Sequence, residues 1–78
     1  MRHLITVSPA GDVWQVVAPS AEPALFSRGG QAELCARRMA ESLARAGCGV
    51  DIDIYLRDGR LAARLRYQPS DSPVLEVA

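Results

Sequence analysis

From Val50 onward, apolar and polar residues alternate strictly. Val50, Ile52, Ile54 and Leu56 interleave with Asp51, Asp53, Tyr55 and Arg57. Beyond Asp58-Gly59, Leu61, Ala63, Leu65 and Tyr67 interleave with Ala62, Arg64 and Arg66. A period of two is that of a half-buried strand, and Asp-Gly between two such runs signals a hairpin closed by a type I′ turn. A two-residue turn sets Leu56 opposite Leu61, Ile54 opposite Ala63 and Ile52 opposite Leu65. On the other face Tyr55 meets Ala62, Asp53 meets Arg64 and Asp51 meets Arg66, with Arg57 facing Arg60 at the tip. The apolar pairs share one face and the opposite charges share the other, an arrangement that a one-residue slip destroys. The aspartates therefore read as cross-strand ion pairs, worth a few tenths to about 1 kcal/mol each.

A second alternating pair lies at the N-terminus, where "HLITVS" and "VWQVVA" flank Pro9, Ala10, Gly11 and Asp12. A four-residue loop there places Val7 opposite Trp14 and Ile5 opposite Val16 on the inner face. Thr6 then meets Gln15 outside, and Leu4 with Val17 form the bulky apolar remainder of the outer face. "PSAEP" at 19–23 is a connector, too rich in proline for a central strand. Ala24-Leu25-Phe26 reads as an apolar entry into a helix, with Phe26 against its first turn.

The period then changes to that of a helix from about Gly30 to Ala46, ended by Gly47. At 100° per residue Ala32, Cys35, Ala36, Met39, Leu43 and Ala46 share an arc of about 100° that faces the sheet. Glu33 with Arg37, and Glu41 with Arg45, stand four apart with the acid first, the favoured order. Leu34 points to solvent beside Arg38. The expected fold is α+β: a ββαββ chain over residues 1–68, with an antiparallel sheet of two hairpins and one helix packed on one face. "PSDSPVLEVA", residues 69–78, is either a frayed tail or an added edge strand.

Composition narrows the functions. A chain of 78 residues buries only about 60% of its unfolded surface, which leaves room for one modest core. Nine arginines balance nine acids, so no net charge draws the chain to nucleic acid or an anionic membrane. The absence of lysine reads as genome composition rather than as recognition. Cys35 mid-helix and Cys48 beyond its end are about 20 Å apart along the axis, too far for a disulfide, and free thiols fit a cytoplasmic location. His3, the lone histidine, has no second ligand at metal-binding spacing. The two glycines of "SRGGQAE" precede a helix, yet lack the spacing of a phosphate-binding loop. No catalytic, cofactor-binding or metal residue emerges, and no apolar run is long enough for a membrane span.

Taken as a set, "VWQV" at 13–16, Phe26, "QAELCARRMA" at 31–40 and "RDGRLAARLRY" at 57–67 resemble the DUF2188 family of small bacterial domains of unknown function. The family has a Gly-Trp-Ala-Val-like strand, an alanine-rich helix and an Asp-Gly-Arg hairpin ending in an aromatic residue. The likeness covers residues 3–67. Val13 replaces the family's usual Gly, Arg28 its Thr helix cap, and Tyr55 lies near its usual His. The resemblance implies a ββαββ domain and brings no established activity. The expected role is a non-catalytic protein-interaction or homodimerisation module. Its surface would comprise Leu4, Val17, Tyr55, Arg57, Arg60, Arg64 and Arg66, with Arg57 and Arg60 reaching outward at the hairpin tip. The alternative is nucleic-acid binding through the same arginine-bearing face.

Overall fold

Two hairpins and two short strands build a single six-stranded sheet, with one helix on one face. The computed structural model describes residues 2–69 and 75–77. The elements are β1 (Arg2–Ala10), β2 (Val13–Val17), β3 (Ala24–Phe26), α1 (Gly29–Arg45), β4 (Gly49–Tyr55), β5 (Leu61–Tyr67) and β6 (Leu75–Val77). Their order across the sheet is β3-β2-β1-β4-β5-β6. The tail thus contributes β6, antiparallel to β5. The rest of the tail expectation, residues 70–74 and 78, lies outside the described residues.

The α+β class and the helix on one face match the alternation read from the sequence, but the sheet is mixed rather than antiparallel. Both hairpins are antiparallel within themselves, and β1 joins β4 in parallel, from Arg2 opposite Gly49 to Val7 opposite Ile54. The cause is β3, which antiparallel pairing holds against β2 (Trp14 opposite Phe26). A strand–helix–strand crossover returns the chain parallel to the strand it left. Leaving from β2 would make β4 antiparallel to β1. The extra strand reverses the chain once more, so β4 runs parallel to β3 and β1.

The N-terminal turn is tighter than the four-residue loop expected. Pro9 and Ala10 belong to β1, opposite Trp14 and Val13, and only Gly11-Asp12 turn. Gly11 has φ +65°, the sign that a type II′ turn needs at its first central position. Pro9 is tolerated because β1's pairing with β4 ends at Val7, so no ladder bond loses its donor. The register moves by two, which preserves faces: Ile5, Val7 and Val16 remain inward and buried, while Leu4 loses Val17 as its opposite number.

In the second hairpin the register holds from Asp51 opposite Arg66 to Ile54 opposite Ala63, then shifts by one at Tyr55 opposite Leu61. The Gly59 N–H donates to the Leu56 carbonyl (2.9 Å) and the Leu56 N–H to the Arg60 carbonyl (2.8 Å). This is a three-residue loop with Gly59 at φ +89°, not a type I′ turn. Asp58 keeps a negative φ because its carboxylate accepts the Arg60 N–H (3.0 Å), the Asx turn open to a short acidic side chain. The bulge at Ala62 turns the tip out of register, so Leu56 and Leu61, expected to face each other in the core, are exposed.

The helix is also rolled relative to expectation. Ala32, Ala36, Ala40 and Ala44 are fully buried, while Cys35, Met39 and Leu43 are only partly buried against the core and Ala46 is exposed. The alanine row lies about 70° from the centre of the expected stripe at 100° per residue. Methyl side chains let the helix axis approach Ile5, Val7, Val50 and Ile52, and the larger residues form its flank. Gly29 serves the same close approach: a Cβ there would stand 3.1 Å from the Trp14 ring. Along the exposed side Arg37 reaches Glu33 at 3.3 Å, while the expected Glu41–Arg45 pair does not close. Cys35 and Cys48 are free thiols. No helix among the described residues is long and apolar enough to cross a membrane.

Candidate functional site

Among the described residues, none forms a second layer on the sheet face opposite α1. Strand alternation brings Leu4, Thr6, Val17, Asp51, Asp53, Tyr55, Arg64 and Arg66 to it. Five of the seven expected surface residues are therefore together: Leu4, Val17, Tyr55, Arg64 and Arg66. Arg57 and Arg60 are not with them. The Arg57 guanidinium lies 5.6 Å from the centroid of the Trp14 ring, a cation–π distance, on the helix side of the sheet. Arg60 donates to its neighbour Asp58 at 2.7 Å. Both tip arginines are exposed, as expected, but they lie off the open face because the loop and bulge take their side chains out of the strand register.

The charges on the open face are closed on one another. Arg64 forks onto Asp53, with Nε at 2.6 Å from Oδ1 and Nη2 at 2.8 Å from Oδ2. Asp53 is 3% exposed although none of the described elements is layered over it. Asp51 accepts from Arg66 at 3.2 Å and from Arg2 at 2.7 and 3.2 Å. The sequence gives no partner for Arg2. The parallel register supplies one by setting Arg2 opposite Gly49, over which the side chain lies, since a Cβ on Gly49 would stand 2.8 Å from Nη1. Arg2 also donates to the carbonyls of Val50 and Tyr67.

The hydrogen bond from Arg2 does most to hold the Asp51 carboxyl below its ordinary range; Arg66 adds to this, and burial opposes it. A carboxyl depressed in the fold stabilises above its unfolded value, near 3.8, and that stabilisation is lost as pH falls through the folded value. Urea midpoints are expected to be flat above about pH 5 and to fall below about pH 4, with a shallower acid decline in Asp51→Asn. An identical decline in the variant would remove Asp51 as the cause.

Around this ionic centre stand exposed apolar side chains. Leu4 is 49% exposed and Leu25, opposite Gln15 on the same face, 62%. Leu25 escaped the sequence reading because a three-residue strand shows no alternation. On the helix side, an open groove of about 530 Å³ runs between β3 and the flank of α1, lined by Phe26, Gln31, Leu34, Cys35, Arg38 and Met39. The arrangement offers binding surfaces. Among the described residues no three His, Cys, Asp or Glu side chains gather as a metal site would require.

Comparison with protein-family models, with curated proteins and with solved structures found no match. The resemblance to DUF2188 rests on the residues that carry it.

Proposed function

We propose that the chain is a non-catalytic protein-interaction module that pairs with a second copy of itself through the open face of the sheet. The observation that carries this reading is the face's charge closure: the Asp51 and Asp53 carboxylates are both held by arginines of the same chain. A two-fold interface sets the same patch against itself. A face of one sign would repel its copy, whereas here two aspartates offset all but one of three arginine charges and leave Leu4, Val17 and Leu25 to supply the contact. The same closure weighs against nucleic acid, because Arg64 and Arg66 are occupied and the remaining arginines do not form a stripe with stacking aromatics. The resemblance to DUF2188 is one of sequence and adds no activity to this reading.

Sedimentation equilibrium tests the proposal. The expected mass is near twice the 8.4 kDa of one chain, reverting to the monomer in Leu4→Glu and unchanged in Ser42→Glu on the exposed side of α1. A monomer at millimolar concentration, or a dimer untouched by Leu4→Glu, would overturn it.

A further inference from the structure

One helix about 10 Å across cannot cover six strands spaced about 4.8 Å apart. Helix α1 lies over β4, β1 and β2 and reaches β3 with fewer contacts. What remains beside it is the groove of about 530 Å³, within the size range of ligand sites and walled by Phe26, Leu34, Cys35 and Met39. Two further features bear on its occupant. Strand β3 ends the sheet, so its outer side has backbone donors and acceptors that no strand among the described residues meets. Arg38, on the groove's helical wall, has none of the described carboxylates within ion-pair distance, although most arginines of the chain are paired.

We infer that this groove receives an extended peptide segment of a partner protein, added to β3 as a further strand. Alternate apolar side chains enter between β3 and α1, and one acidic residue meets Arg38. A strand beside β3 sends every second side chain to the helix side, the side on which Phe26 stands opposite Trp14. Pro23 and the three-residue length of β3 limit the backbone ladder to two or three hydrogen bonds, so the groove and Arg38 supply specificity. An added strand is an established way for sheets to capture peptides. The groove lies across the sheet from the self-pairing face; β3 contributes Leu25 to that face, so the helical-wall variants at Leu34 and Arg38 are what separate the two readings.

The test is an amide-resolved NMR titration of the labelled chain with a panel of capped six-residue peptides. In these, Val or Leu alternates with Thr, and one position is Glu, Lys or Gln. The Glu peptides are expected to shift the amides of Ala24 to Phe26 and Leu34 to Met39, and to slow hydrogen exchange in β3. Peptides N-methylated at alternate positions should lose binding. In Arg38→Glu, an exposed position that leaves the other resonances in place, affinity for Glu peptides falls about fivefold and that for Lys peptides rises. Leu34→Asp weakens all of them. No shifts with any peptide would overturn the inference. So would equal binding of the N-methylated set, or shifts confined to β6 or to the Leu4 face. Self-association mapped to β3 without peptide would assign the groove to a second copy instead.

Discussion

Replacing Ala40 with leucine is expected to destabilise the fold by about 1–3 kcal/mol, the usual cost of forcing extra carbons into a packed interior. A domain of this length has only about 4–12 kcal/mol to lose, so the urea midpoint should drop by about 1 M or more. Helix propensity differs little between the two, alanine being only slightly the better former; most of the loss must therefore come from contact. Ala40 is fully buried between Ala36 and Ala44, on the row where helix and sheet backbones come closest. Arg45→Leu on the exposed side is the control and should be near neutral. Equal midpoints for Ala40→Leu and wild type would mean that the helix does not rest on its alanines.

The second large effect concerns Asp53 and Arg64, and it is an asymmetry. Breaking a buried ion pair from one side generally costs about 3–5 kcal/mol, because the remaining charge stays out of water. Asp53 is that kind of charge, with a side chain 4% exposed, whereas Arg64 is half in solvent. Arg64→Leu strands a carboxylate inside the structure, and water reaching the vacated place recovers part of the loss. Asp53→Leu frees a guanidinium that solvent already surrounds. The urea midpoint should fall further for Arg64→Leu than for Asp53→Leu, and the double variant should resemble Asp53→Leu. An ordinary surface pair would give two small and equal losses, and that result would contradict the closed ionic centre.

Both effects depend on details that the sequence shows unequally. Alternation from Val50 to Tyr67 identified the strands, their inward faces and both aspartate–arginine pairs, because a period of two and a charge match constrain one register. The tip was not legible: Asp-Gly serves a type I′ turn and a three-residue loop alike, and the Asx bond from Asp58 selects the second. Strand β3 is too short to show a period, and losing it reversed the direction of β4 and hid the partner of Arg2. The helix was placed correctly along the chain, Gly29–Arg45 against the expected 30–46. Its roll was misjudged because Cys35, Met39 and Leu43 weigh more than alanine on any apolar scale, while closeness of approach favours the methyl group. Of the open face, Leu4, Val17, Tyr55, Arg64 and Arg66 followed from strand parity alone. Arg57 and Arg60 did not, since a loop has no parity.

The parallel pairing of β1 with β4 also sets a clock on biosynthesis. Arg2 pairs with Gly49, 47 positions later in the chain. At about 5–20 residues per second on the ribosome, β1 waits roughly 2–10 s for the neighbour that completes its central place in the sheet. During that interval one side of β1 is a bare edge, and Ile5 and Val7 lack the companionship of Val50 and Ile52. Contacts so distant along the chain also slow folding once synthesis ends. The nascent chain is thus exposed to mispairing on its first strand, not its last, and chaperone occupancy should concentrate on chains shorter than about 50 residues beyond the exit tunnel.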